Sequence, residues 1–204
     1  MRTMRDKHMR QRIAMEAARL MAEHGVRDYY AAKRKAAAQL GASATQNMPR
    51  NEEIEQELGA YQRLFQTHSQ PRRLRALRVA ALQAMRLFAV FDARLVGSVL
   101  SGTAHAHSDV SLHVFTDTPE EVGLLLMQND IPYETVQHHL RLAPDSAPVG
   151  YPGYRFMAGD TVIDLTVFPL KGIRQAPRSP VDGKPMRRAD LSAVTKLLQE
   201  ESND

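Results

Sequence analysis

Val-Gly-Ser at residues 96–98, ten further residues, and then Asp-Val-Ser-Leu at residues 109–112 form the most informative stretch of this chain. A second acidic segment, Val-Ile-Asp-Leu, follows at residues 162–165. A Gly-Ser turn after a strand can present backbone N–H groups to a phosphate. Carboxylates on adjacent strands can hold Mg²⁺, which prefers oxygen ligands and usually shares them with substrate phosphates. The spacing therefore predicts a phosphoryl-transfer site.

These residues resemble the signature of the polymerase-β-type nucleotidyltransferase superfamily. Val96, Gly97 and Ser98 match its opening, a hydrophobic residue followed by Gly and then Gly or Ser, and the ten-residue spacer fits. Asp109 matches the first of three acids. Asp164 matches the third by its position between hydrophobic residues. The resemblance covers residues 95–168, and it implies an α/β (α+β) fold in which helices flank a mixed sheet.

The resemblance also implies an activity, which is transfer of a nucleotidyl group from an NTP to an acceptor with Mg²⁺ as cofactor. Gly97 and Ser98 would hold the triphosphate. Asp109 and Asp164 would be the catalytic residues and the Mg²⁺ ligands, and they would orient the acceptor hydroxyl, as the general logic of phosphoryl transfer requires.

Ser111 departs from the superfamily pattern, which has a second acid two residues after the first, on the same face of the strand. A serine hydroxyl is neutral and is a poorer Mg²⁺ ligand, whereas a two-metal mechanism needs carboxylates to neutralise both ions. The two remaining acids can hold one ion together with nucleotide phosphates. The sequence thus leaves an active transferase and a catalytically inactive nucleotide- or nucleic-acid-binding module on the same fold as alternatives.

Both acids also have structural interpretations. Asp109 stands where a loop enters a strand, and it can form an Asx-turn there. Asp164 lies inside an apolar strand, where a carboxylate is costly unless it is paired, hydrated or bound to a metal. His113 lies on the same strand face as Asp109 and can reach the site. It could join a histidine metal site with His105 and His107, the alternative being local polar packing.

Composition limits the classes of protein that this chain can belong to. It has 204 residues and no cysteine, so neither a disulfide framework nor a thiolate metal site is possible. No apolar run reaches the length of a membrane-spanning helix, and no signal peptide is evident. We therefore predict a cytoplasmic protein that has no membrane partner.

Charge is uneven along the chain: residues 1–91 contain 17 Lys and Arg against 8 Asp and Glu. We therefore predict a basic helical region over residues 1–91, followed by the nucleotidyltransferase-like domain that the resemblance implies over residues 92–204. A positive surface favours polyanions such as RNA or DNA. The alternative is a solvated, arginine-rich helical surface. Two basic clusters, at residues 33–35 and at residues 72–78, are candidate phosphate contacts.

Hydrophobic periodicity predicts four helices in the basic region. The first ends at Gly25, the second lies between Asp28 and Gly41, the third begins near Asn51, and the fourth has Pro71 in its first turn. The first two helices are compatible with a helix-turn-helix, so a DNA-binding regulator is a further hypothesis.

The rest of the chain alternates between strand and helix patterns. The predicted strands cover residues 93–98, 110–115, 132–140, 154–158 and 161–168, the last two joined by a hairpin at Gly159 and Asp160. A capping box at residues 118–121 predicts a helix through Met127, and an amphipathic helix is predicted over residues 189–199. Residues 171–188 are predicted to be a loop.

Overall fold

A computed structural model describes residues 4–26 and 28–201 of the chain. Within these residues it has seven α-helices and one five-stranded mixed sheet, so the predicted mixed α/β class is confirmed. The helices are α1 (Met4–His24), α2 (Tyr29–Gln39), α3 (Asn51–Phe65), α4 (Ser69–Leu87), α5 (Gly97–Ser101), α6 (Glu120–Gln128) and α7 (Leu191–Glu200). The strands are β1 (Arg94–Val96), β2 (Val110–Phe115), β3 (Tyr133–Leu140), β4 (Val149–Ala158) and β5 (Thr161–Phe168). No described helix combines the length and the apolar character that crossing a membrane requires.

Backbone contacts divide the chain into two compact units. The first unit comprises Met1–Arg73, Thr103–Ser108 and Pro180–Asp182. The second unit comprises Leu74–Gly102, Asp109–Ser179 and Gly183–Asp204, and it contains the whole sheet.

The first unit is built on α1, α2 and α3, whose ends follow from local sequence. Gly25 has φ +66°, a left-handed conformation that favours glycine, and it follows the last residue of α1. Asp28 caps α2 by accepting a hydrogen bond from the Ala31 N–H at 2.7 Å. The predicted ends of these helices are therefore confirmed. Small and branched side chains fill the core between the helices, among them Ile13, Ala17, Leu20, Ala32, Ala36, Ile54 and Leu58.

The sheet of the second unit has the strand order β1-β2-β5-β4-β3. The strands β2 and β5 are parallel, and every other neighbouring pair is antiparallel. Alternation along the strands gives the sheet two different faces. On one face, apolar side chains such as Leu112 and Leu165 are buried, and the Tyr154 hydroxyl donates to the Pro119 carbonyl at the start of α6 at 3.0 Å. The opposite face carries polar side chains, including Ser111 and Asp164.

Four local predictions are wrong. The strand predicted over residues 154–158 begins earlier, at Val149. The strand predicted over residues 93–98 ends at Val96, and Gly97 and Ser98 form the first turn of α5. The predicted capping box does not form, because the Thr118 N–H donates to the Thr116 hydroxyl, which in turn donates to Glu121. The predicted loop over residues 171–188 also contains most of a short 3₁₀ helix, Leu170–Arg174.

One residue of the second basic cluster, Arg78, is buried rather than exposed. Its Nε donates to the Val99 carbonyl at 3.0 Å, and its guanidinium forms an ion pair with Glu201. Arg78 thus ties α4 to the backbone of α5 and to the end of α7. These hydrogen bonds and the ion pair explain why a charged side chain can be buried here. Because Arg78 is buried, it is excluded from the candidate phosphate contacts.

Candidate functional site

The two candidate acids belong to neighbouring parallel strands, one just before its strand and the other within it. Asp109 directly precedes β2, and Asp164 is the fourth residue of β5. In the strand register Ser111 is the partner of Asp164, so both side chains lie on the polar face of the sheet. Ser111 is also the partner of Val96 at the end of β1. The strand register therefore brings Asp164, Ser111 and the end of β1 together on this face.

A single arginine joins the two acids. Arg155 is the partner of Asp164 on β4, and its Nη2 donates to Asp109 Oδ2 at 3.0 Å. The same nitrogen lies 3.8 Å from Asp164 Oδ2. The side chains of Asp109 and Asp164 are only 12% and 17% exposed, whereas that of Arg155 is 38% exposed. Two largely buried carboxylates thus converge on one nitrogen atom, and the arginine compensates part of their charge.

Gly97 lies beside Ser111. Its φ of +72° is one that side chains with a Cβ rarely adopt, and a Cβ placed on it would lie 3.9 Å from Ser111 Oγ. Ser98 follows in the first turn of α5, and its carbonyl accepts from the Gly102 N–H at 2.9 Å. Glycine at position 97 is therefore explained by its left-handed backbone conformation, and Gly97 and Ser98 together begin the short helix α5 beside Ser111.

Asp164 has a second partner, His138 on β3, which lies two strands away from β5. His138 Nε2 is 3.0 Å from Asp164 Oδ1, so the imidazole must extend over the backbone of β4. Gly153 makes this possible, because a Cβ there would lie 2.5 Å from the Leu165 carbonyl oxygen and 2.6 Å from His138 Cδ2. A glycine on the intervening strand is thus a condition for the His138–Asp164 contact.

The neighbouring His113 is on the polar face but is buried, and a nearby arginine already occupies its Nδ1. Arg188 Nε donates to that nitrogen at 3.0 Å, and the guanidinium lies 5.0 Å from the ring centroids of Phe115 and Phe168. Burial, with help from Arg188, lowers the pKa of His113 to about 3. Burial also lowers the pKa of Arg188 to about 10. His113 is therefore neutral near pH 7, with its Nδ1 lone pair engaged.

The other two candidate histidines belong to the first unit. His105 is buried, and its Nδ1 accepts a hydrogen bond from the His107 N–H at 3.2 Å. A Cβ on Gly25 would lie 2.9 Å from the His107 ring, so that ring packs directly on the turn after α1. These contacts are the local polar packing that was the alternative to a histidine metal site.

Ligand chemistry decides which metal ion the site could hold. Among residues 4–26 and 28–201, no three His, Asp or Glu side chains are grouped closely enough to hold a metal ion. The carboxylates of Asp109 and Asp164 and the Ser111 hydroxyl are oxygen donors of the kind that Mg²⁺ prefers. Two carboxylates that share an ion with substrate phosphates are a common way of binding Mg²⁺, and here the Arg155 guanidinium lies between the two. A second ion would have no carboxylate of its own, because Ser111 is neutral.

Arg155, His138 and Arg188 were not predicted as site residues. The alternating pattern of β3 indicates that His138 and His139 point to opposite faces, but only the contact between the His138 ring and Gly153 shows which of them reaches Asp164. A charged residue inside an apolar strand, such as Arg155, is the one signal in the sequence that could have indicated a partner for Asp164. Comparison with protein-family models, curated proteins and solved structures finds no match to this chain.

Proposed function

We propose that the polar sheet face of the second unit binds an NTP and, with one Mg²⁺, transfers its nucleotidyl group to an acceptor. The observation that carries this proposal is the convergence of Asp109 and Asp164 on one nitrogen atom, from neighbouring strands and with low exposure. Carboxylates arranged in this way can share a cation with substrate phosphates. A cytoplasmic location, where NTPs and Mg²⁺ are abundant, goes with the proposal.

Each residue then has a defined role. Asp109 and Asp164 would bind Mg²⁺, which when bound neutralises charge on the phosphates. His138 would hold Asp164 in one orientation through its hydrogen bond to Oδ1. Gly97 would let the triphosphate approach the backbone beside Ser111, because no side chain stands there.

The proposal is tested by incubating the protein with each labelled NTP in turn, with Mg²⁺ or Mn²⁺, and with RNA and protein as acceptors. Free NTP stays soluble in acid, whereas RNA and protein precipitate. Label that appears in the acid precipitate only when the divalent cation is present therefore supports transfer to the acceptor. The same reactions with EDTA provide the control. Absence of transfer with all four NTPs and both classes of acceptor counts against the proposal.

The non-catalytic binding module remains the second candidate, and a specific observation favours it. Arg155 and His138 already engage both acids, and Ser111 adds no charge. A protein of this kind would bind an NTP or a nucleic acid without consuming it. Equilibrium dialysis with labelled NTP, followed by analysis of the recovered nucleotide, separates binding without turnover from transfer.

Replacing Ser111 with Asp is expected to tighten Mg²⁺ binding and to raise nucleotidyl transfer. The new carboxylate would lie on the face of Asp164, its register partner, and would supply the charge that a second acid normally contributes. Three carboxylates repel one another, so the metal-free variant should be less stable than the wild type. Calorimetric Mg²⁺ affinity and label transfer are measured together.

Ser111→Asn is the matched control, because it has nearly the same volume as Ser111→Asp and no charge. Ser111→Asn should raise neither the affinity for Mg²⁺ nor the rate of nucleotidyl transfer. If Ser111→Asp is folded and gains neither property, the transferase proposal loses support and the binding module becomes the better description.

The basic helical region over residues 1–91 has its own proposed role, which is to bind RNA or DNA by charge. Arg34 and Lys35 are exposed on α2, and the Arg34 guanidinium lies 5.7 Å from the ring centroid of the exposed Tyr30. Replacing Lys33, Arg34 and Lys35 together with Ala should weaken binding and flatten its salt dependence. The slope of log affinity against log salt should fall by about 2 to 3, since each phosphate contact contributes about 0.9.

A charge-matched control removes three cations from the second unit instead, namely Lys171, Arg174 and Lys184, all of which are exposed. That variant should retain the wild-type slope. Binding that does not respond to salt, or an equal loss in both triple variants, contradicts the assignment to α2. Discrimination between DNA sequences by the wild type would instead favour the helix-turn-helix regulator.

A further inference from the structure

We infer that Arg155 is an internal cation that stands between Asp109 and Asp164 in the place of a metal ion, so that a divalent cation binds only by displacing it. This inference rests on the proposed function, because it concerns the same two acids. It adds a regulatory relation, namely that metal binding and the arginine contact exclude each other.

The contact is built so that it can be broken. Arg155 uses the one nitrogen Nη2 for both acids, donating to Asp109 at 3.0 Å and approaching Asp164 at 3.8 Å. Its Nε is buried and has no hydrogen-bond partner within the described chain. A bidentate pair, with two parallel hydrogen bonds to one carboxylate, would be stronger and more rigid. The Arg155 side chain is also 38% exposed, so part of it already contacts solvent.

For electrostatic reasons, the acid pair can hold either the Arg155 guanidinium or a divalent cation, but not both. One guanidinium carries a single positive charge for two carboxylates, whereas one divalent cation can balance both. The guanidinium and the ion cannot both lie between the same oxygen atoms, because their charges repel each other. The site therefore changes from an arginine-compensated state to a metal-compensated state.

The displaced guanidinium has a use in the second state. Arg155 projects from β4 on the polar face, next to Asp164, and a triphosphate that shares the metal ion would lie within reach of the same side chain. Arginine forms strong charge-assisted hydrogen bonds with phosphate. The metal ion can bind only when Arg155 has left the acids, and the triphosphate favours that released position of Arg155. Conversely, a metal ion that displaces Arg155 makes its guanidinium available to the triphosphate. The metal ion and the NTP should bind cooperatively, and each alone should bind weakly.

The test measures cation binding without nucleotide, by titration calorimetry with Mn²⁺ and Mg²⁺. Arg155→Met should bind both ions about tenfold or more tightly than the wild type, because no internal cation must be displaced; tenfold corresponds to about 1.4 kcal/mol. In EDTA, Arg155→Met should melt at a lower temperature than the wild type. Addition of Mg²⁺ should raise the melting temperature of Arg155→Met by more than it raises that of the wild type. Arg155→Lys retains a positive charge and should stay close to the wild type. Arg174→Met, at an exposed position of the same unit, is the matched control and should bind as the wild type does.

Equal Mn²⁺ affinity in the wild type and in folded Arg155→Met would overturn the inference, since Arg155 would then be a structural ion pair only. If Arg155→Met does not fold, the wild type itself gives the answer through the ¹⁵N resonance of the Arg155 Nε, assigned with Arg155→Lys. That resonance should shift as Mg²⁺ together with a non-hydrolysable NTP analogue is added, and an unchanged resonance at saturation would refute displacement. Cation competition without any nucleotidyl transfer would support the inference while contradicting the proposed function.

Discussion

Replacing Asp164 with Asn is expected to reduce the proposed Mg²⁺-dependent nucleotidyl transfer roughly a thousandfold or more, because loss of a proposed metal ligand would remove several kcal/mol of transition-state stabilisation. The amide is neutral and would bind Mg²⁺ poorly, but its oxygen can still accept a hydrogen bond from His138, which lies 3.0 Å from Asp164 Oδ1. The variant should therefore fold normally. Transfer of labelled NTP and the melting temperature are measured in parallel.

Asp160→Asn provides the control for this change. Asp160 is an exposed carboxylate at the turn between β4 and β5, four residues from Asp164 along the chain. The two variants lose the same charge, and only Asp164→Asn should lose activity. If both variants turn over at the wild-type rate, Asp164 has a structural role, and the acid pair is not the catalytic centre.

Replacing Gly153 with Ala is expected to give the largest loss of stability, about 3 kcal/mol of unfolding free energy, which is the upper range for forcing an extra group into a packed region. The added Cβ would lie 2.5 Å from the Leu165 carbonyl oxygen, which is held in the neighbouring strand, and 2.6 Å from the His138 ring. The strand backbone cannot retreat easily, and the imidazole would lose its path to Asp164. Equilibrium denaturation in urea measures the change.

Gly150→Ala is a control on the same strand. A Cβ at Gly150 would meet the end of the Gln137 side chain at 2.7 Å, and that flexible amide can rotate away. Its expected cost is therefore within about 0.5 kcal/mol of zero, as for most surface substitutions. Equal stability of the two variants would contradict the close packing at Gly153. If only the contact to His138 matters, the double variant Gly153→Ala with His138→Ala should recover most of the loss.

Local chemistry explains what could be predicted from the sequence. Gly25 ends α1 and Asp28 caps α2 because left-handed backbone and side-chain capping are properties of single residues. The alternating pattern of residues 110–115 similarly predicts β2, and the hairpin signal at Gly159 and Asp160 predicts β4 and β5 on its two sides. The resemblance suggested that the two acids belong together, and the parallel register is consistent with that suggestion.

The remaining contacts depend on pairings that a single sequence does not reveal. The contact from His138 to Asp164 requires the register of three strands and a glycine in the middle one. Arg155 becomes a partner of both acids only when β4 pairs with β5. Arg78 resembles its solvated neighbours in the sequence, and it is buried because Glu201, far along the chain, pairs with it. The capping box predicted at residue 118 similarly fails to form, because Thr118 takes part in a turn in which its N–H donates to the Thr116 hydroxyl.

The parallel pairing of β2 with β5 has a consequence for how the protein folds. Between these strands the chain forms α6, β3 and β4 before it returns, so the acids are adjacent in space but distant in sequence. Non-local pairings of this kind form slowly, because the entropy of closing a long segment is lost before the contact gains energy. The acid pair should consequently be among the last features to appear during refolding. A partly folded chain would lack this arrangement, so a property that depends on the acid pair, such as the proposed cation binding, would report on when the sheet is completed.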